Sequence, residues 1–334
     1  MVITAPNVRQ QFKDKPIVVV GDIVADRFLS GTISRVSREA PVFILRHDGT
    51  DTFPGGAANT AANVASLGGK PVLVGLLGND LDGRETARAL DLAGIDKTFV
   101  ITADSIRTTA KVRVLGGQPY AEKKQVIRID YENSAIVPAE LVVALVANLK
   151  LAAEKASAIV LSDYGYGACT SPIFSEASEI AKDLGIPLIV DSRYRLSGFA
   201  GATSATPNKE EAEAILGHTF NIDDAEAIRQ KLGFDSLLVT LGGEGMAIAA
   251  AGKSVEHIPV VGSTQPVDVT GAGDTVIAAY SLGLASGMEP VDAARIANHA
   301  GSIVVMKRRT SVATIQELED SLSENIPSAI SQNV

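Results

Sequence analysis

The chain has 334 residues, 46% apolar and 21% charged, a composition typical of a globular protein with a large core. Its formal net charge is −9, from 30 basic and 39 acidic residues without a long basic run, which argues against nucleic acid as a partner. The single cysteine, Cys169, excludes an intramolecular disulfide, and no segment has the roughly 18 consecutive apolar residues of a membrane span. We therefore expect a cytoplasmic protein without a membrane partner.

Short β-branched runs alternate with Ala-rich runs of helical length along the chain. The predicted strands are Ile17–Val20, Val72–Leu76, Ala158–Leu161, Leu188–Val190, Leu237–Thr240 and Val255–Val261. The predicted helices are Ala57–Leu67, Arg84–Ala93, Ala139–Ala153, Phe174–Leu184, Ala225–Leu232, Ala272–Leu284 and Pro290–Lys307. This alternation predicts one α/β domain over residues 1–334, with a mostly parallel sheet covered on both faces. The polar tail after about Asn325 is expected to fray.

Two segments interrupt the alternation, Phe28–Phe53 and Thr108–Tyr131. Both alternate polar and apolar residues with period two, as in Lys111-Val-Arg-Val-Leu115. Strands with one apolar face, inserted into a βα array, predict a small separate sheet. Because an apolar face needs cover, we expect this sheet to act as a lid over a substrate and to form a homodimer contact.

The sequence Asp268-Val-Thr-Gly-Ala-Gly-Asp274 begins the predicted helix Ala272–Leu284. Gly271 and Gly273 allow close backbone approach to a ligand, and the N–H groups at a helix start favour an anion. A carboxylate at this position is unexpected unless it has a chemical role, because Asp274 would repel that anion. Phosphoryl transfer supplies one, since the base and the anion-binding amides must meet at one point. The alternative is that Asp274 only caps the helix.

Two other uses of glycine can be tested on the sequence itself. A dinucleotide-binding G-x-G-x-x-G starting at Gly271 would need glycine at position 276, where Val276 stands, so a dehydrogenase is disfavoured. A Walker A loop ending at Gly252-Lys253-Ser254 would need glycine at position 247, which is Ala247. The segment around Gly252 is therefore interpreted as a hairpin turn.

A second motif, Phe53-Pro-Gly-Gly-Ala-Ala-Asn-Thr-Ala-Ala-Asn63, leads from a paired glycine into an Ala-rich helix. Asn59 and Asn63 are four residues apart and share a helix face. The Asn59 amide both donates and accepts hydrogen bonds, so it suits sugar hydroxyls. The alternative is a Gly-Gly turn with tight helix packing.

Carboxylates follow several predicted strands. Asp22 and Asp26 come after the first, and Asp163 and Asp191 stand in equivalent positions after later ones. In an open parallel sheet, ligands bind outside the carboxyl ends of the strands, so these residues are candidates for binding a polyol. The alternative for Asp22 is that it starts a turn.

Two motifs later in the chain are candidates for binding a nucleotide and its magnesium ion. Asn208 and Glu211 begin a predicted helix three residues apart, a spacing able to hold hydrated magnesium, and a capping box has the same pattern. The turn Thr240-Leu-Gly-Gly-Glu-Gly245 suits a nucleotide passing over backbone.

In this order, the motifs resemble the ribokinase-like, or PfkB, family of carbohydrate kinases over essentially the whole chain. Gly55-Gly56 with Asn59 is similar to the N-terminal signature of that family. Asn208 to Glu211 is similar to its N-x-x-E element, and Asp268 to Asp274 to its C-terminal signature. The resemblance implies a three-layer α/β/α sandwich with a small β-sheet lid, inserted at about residues 28–53 and 108–131.

Within the family, several segments most resemble the heptose-phosphate kinase domain of lipopolysaccharide precursor synthesis. They are Gly21-Asp22, Ser34-Arg-Val-Ser-Arg-Glu-Ala-Pro-Val42, Pro54-Gly-Gly-Ala-Ala-Asn59, Ser162-Asp-Tyr-Gly165 and Thr206-Pro-Asn208. The implied reaction transfers the ATP γ-phosphate to the anomeric hydroxyl of D-glycero-D-manno-heptose 7-phosphate. The sequence departs from this subgroup at Ser192-Arg193, where Pro-Lys is usual, and contains no nucleotidyltransferase domain.

The resemblance also implies roles for individual residues. Asp274 would be the base, and Gly271, Ala272 and Gly273 the anion hole. Asn208 and Glu211 would organise Mg²⁺, while Thr240, Gly242, Gly245, Asp268 and Asn298 would bind ATP; K⁺ is a further candidate cofactor. The sugar would meet Asp22, Asp26, Gly55, Gly56, Asn59, Arg113 and Asp163. Arg35 or Arg193 would hold a substrate phosphate, because the guanidinium fork suits that anion.

Two alternatives to a heptose-phosphate kinase stay open at this point. The first is a ribokinase, fructokinase or nucleoside kinase of the same fold. The second is a non-catalytic sugar or nucleotide sensor, against which the intact Asp274 argues because a sensor needs no base.

Overall fold

The computed structural model describes residues 5–133 and 136–324, so the expectation for the tail after Asn325 lies outside the described residues. The strands are β1 Pro16–Gly21, β2 Ile23–Val36, β3 Phe43–Gly56, β4 Lys70–Gly78, β5 Phe99–Ala103, β6 Thr109–Gly117, β7 Lys124–Tyr131, β8 Ala158–Asp163, β9 Leu188–Ser192, β10 Ser204–Ala205, β11 Ser236–Thr240, β12 Met246–Ala250 and β13 Glu256–Ile258. The helices are α1 Ala5–Phe12, α2 Ala57–Ser66, α3 Leu81–Leu92, α4 Ala139–Ala152, α5 Ser171–Leu184, α6 Lys209–Leu216, α7 Asp224–Leu232, α8 Ala272–Ala285, α9 Pro290–Val304 and α10 Ile315–Glu324.

The main sheet has nine strands in the order β13-β12-β11-β10-β9-β8-β1-β4-β5. All neighbours from β5 to β11 pair in parallel, and β12 and β13 extend one edge antiparallel. Strand β1 lies inside the sheet, and its residues Ile17 to Val20 are fully buried. A continuous β-branched run is what a strand covered on both faces requires. The predicted mostly parallel sheet is confirmed.

Helices cover both faces of this sheet. One apolar cluster joins β1 and β4 to α1, α2, α8, α9 and α10. The other joins the opposite side of the same strands to α4, α5, α6 and α7. The three-layer α/β/α arrangement is therefore confirmed, with α8 buried along most of its length. Among the described residues, we find no helix with the length and apolarity needed to cross a bilayer.

The small sheet, called the lid here, has the order β3-β2-β6-β7, with β2 and β6 parallel. Its strands begin and end close to the two predicted segments, although β2 starts earlier, at Ile23. Across the sheet, Asp26 is opposite Lys111, which is opposite Asp130. We call the face that carries Asp26 and Lys111 the acceptor face.

The opposite face of the lid, called the outer face, carries apolar residues. Ile127 and Ile129 on β7 are 53% and 41% exposed, and Tyr131 is 39% exposed. The predicted pattern of one polar and one apolar face is thus present.

Several element boundaries differ from the sequence prediction. Helix α9 ends at Val304 rather than Lys307. After Val304 the backbone tightens into i→i−3 turns, in which the Met306 N–H donates to the Ile303 carbonyl and the Lys307 N–H to the Val304 carbonyl. Strand β13 is shorter than predicted. Strands β5, β10 and β12 were not predicted. The Ala-rich sequence of β12 (Met246–Ala250) carries little β propensity, so its place in the sheet depends on tertiary pairing.

Candidate active site

Asp274 lies in the first turn of α8 and is only 4% exposed. Its Oδ2 accepts a hydrogen bond of 2.7 Å from Asn59 Nδ2 on α2. Its Oδ1 accepts one of 2.8 Å from the hydroxyl of Tyr164, in the loop after β8. Two elements remote in sequence therefore fix the carboxylate, which is an arrangement suited to accepting a proton from a bound hydroxyl.

Burial raises the pKa of Asp274 from 3.8 to about 6, because the ionised carboxylate loses its water. The hydrogen bonds from Asn59 and Tyr164 oppose this rise, while the nearby charge of Asp26 adds to it and that of Lys111 reduces it. Asp274 is consequently ionised at neutral pH, yet binds a proton more readily than an exposed aspartate. Both properties are required of a general base.

The residues predicted to form the anion hole surround the start of α8. Gly271 caps the helix with φ +79°, and a Cβ there would approach Asn59 Nδ2 to 2.5 Å. At Gly273, by contrast, an added Cβ would have no atom within 4 Å. The loop is thus closely packed toward Asn59 and open at Gly273. The open side exposes the helix start, where the macrodipole favours a negative charge.

Asp268 stabilises the loop that leads to this helix. Its Oδ1 accepts from the backbone N–H of Thr270, and its Oδ2 from the backbone N–H of Arg309, both at 2.9 Å. The carboxylate therefore joins the 268–274 loop to the segment after α9. In the described structure it bonds to the protein's own backbone.

A cavity of about 190 Å³ opens beside the 268–274 loop, called the anion loop here. Its walls are largely glycine and aliphatic side chains, with few polar groups. The residues predicted to bind the nucleotide or the anion meet there: Thr240, Gly242, Gly245, Ala272, Gly273 and Asn298. The Asn298 amide is already oriented, since its Nδ2 donates to the carbonyl of Pro259 at 2.7 Å. A largely apolar cavity next to the amides of a helix start is the kind of site in which proteins bind small molecules that carry a negative group.

The acceptor face, whose Asp26 and Lys111 lie near enough to affect the pKa of Asp274, contains a buried ion pair. Arg113 donates to Asp26 Oδ1 at 2.6 Å, and Thr310 Oγ1 donates to Asp26 Oδ2 at 2.9 Å. Gly55 lies against the same carboxylate, and a Cβ there would be 2.8 Å from Asp26 Oδ2. Gly56 follows as the N-cap of α2, the helix that carries Asn59.

Asp22 and Asp163 lie at the carboxyl ends of β1 and β8, as predicted, and both hold the loop that follows β8. Asp22 accepts three backbone hydrogen bonds of 2.8 to 3.0 Å, from Tyr164, Tyr166 and Ala168. Asp163 accepts from the Gly165 amide of that loop at 3.2 Å and from Ser192 Oγ at 2.6 Å, and it pairs with Arg195. Burial still raises the pKa of Asp22. These contacts fix the loop that presents Tyr164 to Asp274.

Asn208 and Glu211 form the capping box that was the alternative in the sequence. Asn208 Oδ1 accepts from the Glu211 amide, and Glu211 Oε2 accepts from the Asn208 amide, both at 2.9 Å. A backbone bridge to Thr240 places Asn208 beside the nucleotide cavity. Burial raises the pKa of Glu211, and that of the neighbouring Asp191 is raised well above its ordinary value by burial and by the charges of Glu211 and Asp274. A cation would relieve this clustering of carboxylates.

Two residues at the site were not singled out by the sequence reasoning. Tyr164 was noted only as part of a family segment, and Lys111 only as part of a strand pattern. Lys111 is 7% exposed, and its ammonium lies 5.1 Å from the centre of the Tyr164 ring. A lysine on the polar face of a half-buried strand is the signal that could have indicated it.

Of the two arginines proposed for a substrate phosphate, the structure brings only Arg193 close to this cluster. Burial and then the charge of Arg193 lower the pKa of Lys111, and the same charge opposes the rise in the pKa of Asp191 and of Glu211. Within the described residues, neither Lys111 nor Arg193 has a side-chain ion pair of its own. Arg35 is exposed on the β2–β3 hairpin, opposite Ile44.

Comparison with known proteins gives a family match over most of the chain. The model of the pfkB family carbohydrate kinases matches residues 15–317. The bifunctional protein HldE of Mesorhizobium japonicum is 36% identical over 318 residues, and HldE of Shewanella loihica is 39% identical over 316. These alignments cover 93% and 92% of this chain. The chain spans only about 63% of the length of either relative.

Solved structures agree on the fold. Ribokinase of Arabidopsis thaliana, complexed with ribose and ATP, superposes with a TM-score of 0.68 at 24% identity, covering 93% of this chain and 98% of its own. Phosphofructokinase-2 of Escherichia coli, in complex with substrates and products, gives 0.75 at 18% identity, covering 93% and 99%. The ribokinase-like fold expected from the sequence is confirmed.

Proposed function

The chain belongs to the pfkB family of carbohydrate kinases, and we propose that it transfers the γ-phosphate of ATP to a hydroxyl of a phosphorylated sugar, with Asp274 as base. One observation carries the proposal. The buried Asp274 carboxylate is fixed by Asn59 and Tyr164, its neighbours Ala272 and Gly273 line the nucleotide cavity, and the charges of Asp26 and Lys111 on the acceptor face act on it. A base in that position contacts the acceptor hydroxyl on one side, while the amides of the anion loop contact the phosphate on the other.

The proposed reaction is a phosphoryl transfer in which one P–O bond forms and another breaks. Asp274 accepts the proton of the sugar hydroxyl as its oxygen forms a bond to the γ-phosphorus. The bond from that phosphorus to the β–γ bridging oxygen breaks, and ADP leaves. The N–H groups at the start of α8, next to the open Gly273, stabilise negative charge on the transferred group. Proton transfer to a positioned base contributes about 10²- to 10⁴-fold to such reactions.

Magnesium fits the carboxylates around Glu211. Asn208 and Glu211 would hold the hydrated ion through its waters, beside Thr240 and the nucleotide cavity. Burial raises the pKa of Glu211 and of Asp191, and a cation held here would stabilise the ionised form of both carboxylates. When bound, Mg²⁺ neutralises charge on the phosphates of ATP. Dependence on K⁺ stays a prediction, for which the rate should be measured against K⁺ at constant ionic strength.

The best-supported acceptor is D-glycero-D-manno-heptose 7-phosphate, phosphorylated at its anomeric hydroxyl to the 1,7-bisphosphate. The motif resemblance and the HldE relatives support a heptose phosphate. The structure adds two cations without an ion-pair partner among the described residues, Lys111 and Arg193, near the acceptor side of Asp274. Arg193 supplies positive charge where the heptose-phosphate subgroup usually has lysine. Ser192 is explained by its hydrogen bond to Asp163.

The outer lid face supports a homodimer. Ile127, Ile129 and Tyr131 leave large apolar side chains in solvent on one face of a small sheet, a surface that a second copy of the chain would cover. Light scattering on the purified protein, with Ile129→Lys as the variant, tests this part of the proposal. If light scattering shows the wild-type protein to be a monomer, the homodimer proposal is wrong, and the kinase proposal is unaffected.

The experiment that tests the activity is ADP release with Mg-ATP over a panel of acceptors. The panel contains heptose 7-phosphates, ribose, fructose, fructose phosphates and nucleosides, with Asp274→Asn as the blank for contaminating kinases. Preferential turnover of a heptose 7-phosphate is the expected result. Turnover of another sugar would keep the mechanism and overturn the acceptor. If no acceptor of the panel causes ADP release while ATP still binds, the result would favour the sensor alternative.

A further inference from the structure

We infer that Tyr164 is a positioning residue, whose hydroxyl holds the Asp274 carboxylate in the orientation that receives the acceptor proton. The geometry is direct, since the Tyr164 hydroxyl donates to Asp274 Oδ1 at 2.8 Å while Asn59 occupies Oδ2. The inference rests on the proposed function for its consequence in catalysis. The hydrogen bond itself can be tested without turnover.

The loop that carries Tyr164 is closely held. The buried Asp22 carboxylate accepts the backbone N–H of Tyr164 at 2.8 Å and that of Tyr166 at 3.0 Å. From the lid, the Lys111 ammonium lies over both tyrosine rings, 5.1 and 5.9 Å from their centres. A cation over an aromatic face is attracted to it. The large sheet and the lid therefore both restrict where the Tyr164 hydroxyl can lie.

The two tyrosines have separate partners, although they share this loop. Tyr166 donates its hydroxyl to Glu132 Oε1 at 3.0 Å, at the end of the lid, and does not contact Asp274. Only Tyr164 reaches the base. The chain thus offers a matched pair, in which removal of either hydroxyl leaves the aromatic ring and its contact with Lys111 in place.

The charges facing Asp274 come from several elements. Asp26 on β2 and Asp191 on β9 are negative, while Lys111 on β6 is positive. Burial and these carboxylates raise the pKa of Tyr164 well above 10, so its hydroxyl keeps its proton and acts only as a donor. A donor to a carboxylate stabilises the ionised form and so lowers its pKa. Removing the Tyr164 hydroxyl should therefore make Asp274 easier to protonate.

The test is the pH dependence of kcat/KM for Tyr164→Phe, measured with the acceptor that the panel identifies. Activity depends on ionised Asp274, so it is lost as the pH falls through the pKa of the base. We expect the acid limb, near pH 6 in the wild type, to move up by about one unit in Tyr164→Phe, with about a fivefold loss at pH 6 and little at pH 8.5. Tyr166→Phe, the matched control, should leave the acid limb in place.

A purely structural role gives a different result. It would lower kcat at every pH and leave the acid limb unmoved, and that outcome would overturn the inference. If Tyr164→Phe folds poorly, 3-fluorotyrosine at position 164 supplies a more acidic donor and should move the limb the opposite way, to lower pH. An unchanged limb with this replacement would equally contradict the inference.

A measurement without turnover separates this inference from the proposed function. In protein labelled with ¹³C at the aspartate side-chain carboxyls, the Asp274 resonance is identified by its loss in Asp274→Asn. Its titration is then followed in wild type, Tyr164→Phe and Tyr166→Phe. A higher midpoint in Tyr164→Phe alone supports the contact even if no sugar is phosphorylated. Equal titration midpoints of Asp274 in wild type and both variants would contradict the inference even if the kinase activity is found.

Discussion

The two sides of Asp274 are built differently. On the nucleotide side, the cavity walls are glycine and aliphatic residues, and the chain leaves open space next to Gly273. On the acceptor side, buried charged groups bond to one another across distant elements, as Asp26 does with Arg113 and Thr310. The nucleotide side is thus lined mainly by glycine and aliphatic side chains, whereas the acceptor side is built from paired charged groups. Substitutions should therefore act on the two sides in different ways.

The largest effect is expected for Asp274→Asn, which removes the base common to both sides. We expect kcat to fall by about 10³-fold or more, while the affinity for ATP stays within about twofold, since the anion-loop amides remain. Steady-state kinetics and calorimetric titration with ATP measure the two quantities. Asp292→Asn, on the surface of α9, is the control. Comparable turnover in Asp274→Asn would disprove the assignment of the base.

On the acceptor side, Arg113→Met should destabilise the protein. It leaves the Asp26 carboxylate, 6% exposed, without its cation, and breaking such a buried pair lowers the free energy of unfolding by about 3 kcal/mol or more. Urea denaturation measures this loss. The double variant Arg113→Met with Asp26→Leu should recover much of it, because no buried charge is left unpaired.

The matched control for that pair lies on the surface. Lys253→Met breaks the exposed contact between Lys253 and Glu289 and should change the free energy of unfolding by less than about 1 kcal/mol. Equal losses in Arg113→Met and Lys253→Met would contradict the view that pairing of buried charges builds the acceptor side.

Asp274 should also make stability depend on pH. Its pKa in the folded state, about 6, lies above the ordinary value of 3.8, so the folded protein binds more protons between these values. Its contribution to stability is therefore full below about pH 4 and is lost as the pH rises through 6. This displacement corresponds to about 3 kcal/mol. Asp274→Asn should accordingly be more stable than wild type at pH 8, and the gain should be smaller at pH 5.

Denaturation curves of wild type and Asp274→Asn at these two pH values measure the difference. A gain in the free energy of unfolding that is the same at pH 5 and pH 8 would mean that ionisation of Asp274 is not its cause.

The difference between the two sides also determines how much the sequence could predict. The 268–274 loop on the nucleotide side depends on local sequence, since Gly271, Gly273 and Asp274 lie within four residues of one another at a helix start. The strand and helix alternation likewise predicted the layers of the fold, because buried parallel strands need continuous apolar runs. These features can be inferred without knowing which distant residues meet.

The acceptor side depends on contacts that a single sequence does not specify. Tyr164 and Asp274 are 110 residues apart, Asp26 and Arg113 are 87 apart, and Thr310 and Asp26 are 284 apart. The sequence correctly indicated that carboxylates stand at the carboxyl ends of the strands. It could not show that Asp22 and Asp163 bond to the loop after β8, because that requires the packing of whole elements.

The smallest expected effect compares two glycines in the anion loop. Gly273→Ala adds a methyl group where no atom lies within 4 Å, and alanine favours the helix by about 0.5 to 1 kcal/mol, so the fold should be as stable as wild type or slightly more. Gly271→Ala meets both a φ of +79° and the Asn59 amide at 2.5 Å, so it should lose stability and disturb the hydrogen bond to Asp274. If the space beside Gly273 receives the transferred phosphate, Gly273→Ala should nevertheless lower kcat/KM for ATP by about ten- to thirtyfold, a loss of about 1.4 to 2 kcal/mol in transition-state binding. Thermal denaturation measures the stability of the two variants, and steady-state kinetics measure their kcat/KM for ATP. A Gly273→Ala protein with normal kinetics would mean that the open space is not where the phosphate binds, and the nucleotide side would then need another anion site.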